Sequence, residues 1–400
     1  MKLPGASGHL TYCTNVHPGE TWEEVWRVLR HDVLAVRNGV APEDAFAVGL
    51  RLSGVALAQA SCPRALEQIK AYLAEHNLYV FTLNAFPYGP FHGTRVKEDV
   101  YLPDWRDEER LRYTNASADY LAEILPDGMS GSVSTAPGAF KTNITSPGMV
   151  ADMADRFIRH AGHLVALERR TGHRIALAIE PEPSCFLETT AEAIAFFKGH
   201  LFSRAAADRL AALTGLARAD AEAALRQHLG LCLDLCHAAI EFEEPAQSYA
   251  ALRAAGLAVI KLQISAGLRL ATVGRDTRAL LEPFNDGVYL HQVIEKHNGG
   301  ITSYQDLDCA LTALDNEPDP KNREWRVHYH IPLFLDDLGP FSSTQSFVRE
   351  ALALHRQETI SQHLEVETYT WGVLPERYRT KTLAPAIARE LQWVRQQFLG

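Results

Sequence analysis

Long apolar runs are missing from this sequence. No stretch of its 400 residues approaches the roughly 18 consecutive apolar residues of a membrane-spanning helix. The N-terminus carries Lys2 but no apolar stretch of the kind a secretory signal needs. Neither export nor direct membrane insertion is therefore expected. Basic residues are outnumbered, with 39 Lys and Arg against 49 Asp and Glu, for a net charge of −10. That sign repels phosphate backbones and anionic lipid, which excludes nonspecific nucleic-acid or membrane binding. Cysteines are few and scattered: Cys13, Cys62, Cys185, Cys232, Cys236 and Cys309 form no Cys-x-x-Cys, and Cys232 and Cys236 lack a second pair for zinc. They read as reduced thiols of a cytoplasmic protein. Also absent are a Gly-x-Gly-x-x-Gly after the first strand, an internal repeat and a dividing linker. One domain over residues 1–400 is the expectation.

What is present is a large apolar fraction, 46%, arranged as alternating short strands and helices. Strand-like runs occupy 9–15, 47–53, 78–84, 131–135, 175–180, 229–235, 257–265, 326–332 and 363–371. Between them the apolar spacing is helical. Thr21-x-x-Glu24 is a capping box, and Trp22, Val25, Trp26, Leu29 and Val33 follow on one stripe. Further helices are expected over 63–76, 107–125, 147–170 (closed by Gly172), 344–357 and 384–398. Helical insertions are expected around 189–228 and 275–316, with His291 and Glu295 on one helical face of the second. Alternation of this kind specifies parallel βαβ units, and a closed (β/α)8 barrel fits better than an open sheet. Whether 9–15 or 129–135 lies outside the count of eight is left open.

In such a barrel the chemistry sits at the carboxyl ends of the strands. Those ends read Asn84, Glu180, Asp234 with His237, Gln263, His328 or His330, and Glu367. Strand parity puts Lys261, Gln263 and Ser265 on the inner face, and likewise Glu365 with Glu367. Converging carboxylates repel unless a cation neutralises them. Carboxylates with an amide oxygen and an imidazole suit one divalent ion, Mn2+ or Mg2+, while extra histidines pull toward Zn2+. Internal salt bridges to Lys261, Arg269 or Arg51 are the alternative. His328 and His330 form a second metal site or simply line the core or the substrate. The loop Ala85-Phe-Pro-Tyr-Gly-Pro-Phe-His-Gly93 is either a rigid surface turn or the wall of a small-molecule pocket, with His92 and Lys97 near the substrate.

The order Glu180, Asp234-x-x-His237, Gln263-x-Ser265, Glu367 resembles the xylose-isomerase-like TIM-barrel superfamily of ketose epimerases, sugar isomerases and endonuclease IV-type (AP endonuclease 2) enzymes. The resemblance implies four strand-end ligands to one metal: Glu, Asp, His and Glu. Glu180, Asp234 and Glu367 match three of them, and Gln263 stands in place of the histidine. It further implies substrate contacts from His237 and Arg269. The stretches 9–22, 86–93 and 327–332 are similar to EboE-type metabolite traffic proteins of bacterial ebo clusters. That similarity implies work on a secondary-metabolite precursor beside other ebo-cluster proteins. The expected partners are a small-molecule substrate, those proteins and a second copy of the chain as a homodimer, but no nucleic acid.

Residues and resemblance together suggest metal-assisted isomerisation or epimerisation of a polyol, sugar or cyclitol-like metabolite. Glu180 and Glu367 would act as base and acid, and Lys261 would stabilise an enediolate. A non-catalytic metabolite carrier with a weakened metal site is the alternative. Phosphodiester cleavage would need a histidine-rich site and a basic groove, and it fits the charge less well.

Overall fold

The computed structural model describes residues 1–316, 322–379 and 382–399. Seven strands come first: β1 (His9–Tyr12), β2 (Phe46–Arg51), β3 (Leu78–Asn84), β4 (Gly131–Thr135), β5 (Ile175–Ile179), β6 (Leu229–Asp234) and β7 (Val259–Ile264). Then come β8 (Leu268–Leu270), β9 (Val293–His297), β10 (Gly300–Tyr304), β11 (Arg323–Val327) and β12 (Ser342–Ser343), and last β13 (His363–Val366). Eight of these form one all-parallel sheet in the order β1-β13-β7-β6-β5-β4-β3-β2. The two end strands meet at an isolated parallel bridge between Cys13 and Gly49, and the Thr11 hydroxyl donates to the Ala47 carbonyl at 2.8 Å. The sheet is thus a nearly closed barrel with helices around it. Gly49 is required at this closure, because a Cβ there would lie 2.6 Å from the Tyr12 carbonyl oxygen.

Strands covered on both faces should be apolar almost throughout, and Phe46-Ala-Val-Gly-Leu in β2 is buried at every position. The barrel interior is nevertheless polar along one stripe. Lys261 Nζ lies against Glu365 and donates to Ser134 Oγ at 3.2 Å, while Ser132 Oγ donates to Thr82 Oγ1 at 2.8 Å. His363 Nδ1 is 2.8 Å from Ser132 Oγ. Strand parity on β7 holds: Lys261 and Gln263 turn inward, and Leu262 and Ile264 join the apolar core outside.

Both N-terminal candidates belong to the barrel. The segment left out is the one expected over 326–332. It falls on β11, which pairs antiparallel with β8 and β9 in a second sheet ordered β10-β9-β11-β8-β12. Apolar alternation marks a strand without saying which sheet it joins, hence the error. Around 189–228 the expected helices are present: Thr190–Phe196, Arg204–Thr214 and Arg218–His228, with Gly215 at φ 70° closing the second. The region 275–316 differs from expectation. Helices Thr277–Leu281 and Leu307–Asp315 flank a β9–β10 hairpin whose turn residues Asn298 and Gly299 have φ of 49° and 82°. Asn-Gly with both φ positive is a hairpin turn, so Glu295 lies on a strand and shares no helical face with His291.

Candidate metal centre

Three acids close three barrel strands. Glu180 follows β5, Asp234 ends β6, and Glu367 follows β13. One oxygen from each lies within 4.8 Å of the others, and all three residues are buried. Asp234 caps the short helix Leu235–Ile240. Its Oδ1 accepts from the His237 backbone N–H at 2.9 Å and from Ser265 Oγ at 2.7 Å. Its Oδ2, like Oε2 of Glu180, is buried without a hydrogen-bond partner among the described residues. Glu367 Oε1 accepts from Asn15 Nδ2 at 2.6 Å and from Asn84 Nδ2 at 3.2 Å.

Repulsion among these acids shows in their proton affinities. Burial, then the charges of Glu367 and Asp234, push the Glu180 carboxyl well above the usual range. Burial and the Asp234 charge push Glu367 up to about 7, against the pull of Lys261. Gln263 sits between the two. Its amide nitrogen donates to Glu180 Oε1 at 3.4 Å, and its oxygen faces the Cys232 thiol at 3.7 Å. Gln263 thus meets Glu180 as a donor and turns its amide oxygen toward Cys232.

A second group of donors adjoins the first through Asp234. Asp234, His237 and His330 form one cluster, Glu182, His237 and His328 another, and Cys236, His328 and His330 a third, each with ligand atoms within 4.8 Å. Hydrogen bonding sets the tautomers of all three imidazoles. His237 Nδ1 lies 2.8 Å from the Pro181 carbonyl, and His330 Nδ1 lies 2.9 Å from the Glu367 carbonyl. Gln292 donates to the Pro183 carbonyl at 3.0 Å, so its amide oxygen is what meets His328 Nδ1 at 2.7 Å. Each Nδ1 faces an acceptor and must carry the hydrogen, which leaves every Nε2 of a neutral ring as a lone pair. His237 Nε2 and His328 Nε2 are 3.1 Å apart, and His330 Nε2 has no partner among the described residues. Two lone pairs at that separation repel unless a proton or a cation lies between them. Burial works against charging His237, yet the charges of Asp234 and Glu182 raise its pKa, whereas burial and the His237 charge push His328 well down.

These groups open into a cavity of about 60 Å³ whose polar end holds Asn15, Asn84, Glu180, Glu182, His237, His328 and Glu367. Phe86, Phe91, Val100, Tyr101, Tyr289 and Tyr369 make its apolar end. The loop after β3 is therefore a pocket wall, joined to the second sheet's insertion where Val96 and Lys97 donate to the Val288 carbonyl at 2.9 and 3.0 Å.

Several expected site residues stand elsewhere. Lys261 is buried beneath the acids and held by Glu365, so it does not line the cavity as an enediolate partner would. Arg269 lies on β8 and is paired with Glu324 at 2.8 Å, away from the cavity, because the chain leaves the barrel just after β7. His92 faces the Asn15 carbonyl at 2.5 Å and lines a neighbouring cavity. Lys97 reaches the site, but its ammonium pairs with Asp306 at 2.6 Å. Glu182, Asn15 and Gln292 were missed. A signal existed for Glu182: Glu180 and Glu182 each precede a proline, which holds both extended and on the same side.

No protein-family model matches the sequence, and no curated protein sequence matches it. Solved structures do resemble it. A xylose isomerase-like TIM-barrel protein from Mycobacterium smegmatis, in complex with magnesium, aligns over 98% of this chain and 97% of its own at 14% identity, TM-score 0.51. The probable 3-DHS dehydratase AsbF of Bacillus anthracis aligns over 96% and 97% at 11% identity, TM-score 0.46. The IolI protein with a bound zinc atom aligns over 96% and 96% at 13% identity, TM-score 0.44. The chain has the xylose-isomerase-like TIM-barrel fold. No described helix is long and apolar enough to cross a membrane.

Proposed function

We propose that this protein is a metal-dependent isomerase or epimerase acting on a small polyol, sugar or cyclitol-like metabolite. One observation carries the reading: Glu180, Asp234 and Glu367 converge from three strand ends, and two of them keep a buried oxygen without a partner among the described residues. Burying like charges this way costs several kcal/mol unless they are neutralised, and the donor set fits a divalent cation. Glu180, Asp234 and Glu367 would hold it, Mn2+ or Mg2+ by preference. His237, His328 and His330 with Asp234 offer a second, Zn2+-favouring position. Bound at the acids, such an ion polarises a substrate carbonyl and lowers the pKa of the adjacent C–H.

The protein's own groups then move the protons. Glu180 and Glu367, arriving from different strands, act as base and acid on either side of the reacting carbon. Asn15 and Asn84 orient the Glu367 carboxylate, and Gln263 donates to that of Glu180. His237, Asn84 and Lys97 border the substrate, and the apolar wall excludes water.

A role in an ebo-type pathway, with other cluster proteins or a second copy as partners, is part of this reading. Its support is that the three stretches carrying the resemblance all reach one cavity, through Asn15, through Phe86 and Phe91, and through His328. A cytoplasmic location goes with six free cysteines. The carrier reading is favoured by Gln263 standing where an imidazole would be and by Lys261 being tied to Glu365. Phosphodiester cleavage gains a histidine cluster but no basic groove, since Lys97, the cavity's lysine, is paired.

Elemental analysis of protein purified without chelator, beside Glu180→Gln, tests the proposal. We expect about one divalent ion per chain and a loss of at least tenfold in affinity for it in the variant. A metal-free protein that still binds small ligands would leave the carrier, and full turnover in Glu180→Gln would remove the assigned base.

A further inference from the structure

The cavity at the acids is narrow, with room for a few waters or a small hydroxylated head. Beyond it lies a second cavity of about 530 Å³, lined by Val16, Pro18, His92, Trp371, Val373 and Leu383. Tyr289 and Tyr369 line both cavities, so the two spaces adjoin at this pair of rings. The rings meet edge to face, with centroids 5.0 Å apart, and Phe91 packs against each at 5.3 and 5.6 Å. Tyr289 is pinned by its hydroxyl to the Phe91 carbonyl at 3.1 Å. Tyr369 is half-buried and makes ring contacts with Phe91, Tyr289, His328 and His330.

The second space is poor in free polar groups. His92 has both ring nitrogens engaged, at 2.5 Å from the Asn15 carbonyl and 3.3 Å from the Tyr289 hydroxyl, and Trp371 Nε1 is 3.3 Å from Glu390. A polyol extending into it would lose its water without gaining partners, whereas an apolar group would gain by burial. We propose that this annex receives an apolar tail, so that the site's ligand is an amphiphile: a hydroxylated head among Asn15, Asn84, Glu180 and Glu367, joined to an aryl or branched apolar group beside Trp371 and Val373. The identity of the head rests on the isomerase reading, while the tail pocket stands on its own lining.

The test uses the full chain and matched methyl and phenyl β-glycosides of glucose and galactose, titrated calorimetrically with and without chelator. Phenyl members should bind at least tenfold more tightly than their methyl counterparts. Gly372 lines the annex, and a Cβ there meets nothing within 4 Å, so Gly372→Phe fills the space without crowding. It should erase the phenyl advantage and leave methyl-glycoside binding unchanged; Val373→Phe fills the annex from the next position, guarding against a folding defect in either variant. A phenyl series that binds no better than the methyl series, or not at all, overturns the proposal, as does an advantage that survives both fillings. A phenyl advantage in a protein that takes up no metal keeps the annex and removes the isomerase.

Discussion

Lys261 Nζ lies 2.8 Å from Glu365 Oε2, with both side chains fully buried inside the barrel below the site's acids. Burial, the largest single influence, lowers the lysine's pKa, but the charge of Glu365 together with Cys232, Cys13 and Glu180 outweighs it and drives it up. Lys261 therefore stays an ammonium, and it is the cation that faces the buried Glu365 carboxyl. Lys261→Met would strand a buried carboxylate at a cost of about 3–5 kcal/mol. Urea unfolding should register that loss, and Lys261→Met with Glu365→Leu should recover most of it. A single variant as stable as the parent would refute the structural role given to Lys261.

Metal affinity should rise with pH across neutrality. Glu367 titrates at about 7 and Glu180 above its usual range, both chiefly through burial. A cation must displace any proton these acids hold, so protons compete for Glu367 below about pH 7 and compete less as the pH rises. Each bound proton costs up to about tenfold in affinity per pH unit on the acid side. Calorimetry in buffers of differing ionisation enthalpy at pH 6 should report proton release that shrinks by pH 8. Affinity flat over that range would contradict the shared-carboxylate site.

Arg269→Ala should leave metal and ligand binding untouched. Its guanidinium pairs with Glu324, and the pair is partly exposed, so the stability change should stay within about 1 kcal/mol. His237→Ala, by contrast, removes a cavity-lining imidazole and should weaken ligand binding at least tenfold. Equal effects of the two substitutions would mean that Arg269 reaches the substrate after all.

The barrel and its cluster of acids were legible because both follow from local rules. Apolar strands alternate with helices, and Glu180, Asp234 and Glu367 each stand where such a strand stops. The second sheet was not legible in the same way, since β11 has the pattern of a barrel strand and only its partners set it apart. One signal was overlooked: Asn298-Gly299 is a hairpin turn in plain sequence. Lys261 was placed on the correct face but at the wrong depth, because parity gives the side of a strand and not the layer. The histidine cluster depends on Gln292 and on the carbonyls of Pro181 and Glu367. Those contacts join residues far apart in the chain, which no spacing rule reports.

The bridge at Cys13 and Gly49 has a dynamic consequence. Seven of the eight neighbouring strand pairs are laced by ladders, while this one has a single rung and the Thr11 hydroxyl. Amide protons along that seam should exchange with solvent sooner than those of β5 or β6, because less must break to expose them. Asn15 lies just beyond the seam on the β1 side, and it grips Glu367 from there. A barrel that breathes at this point loosens the acid that closes the candidate metal site, so its weakest joint is also a handle on the proposed chemistry.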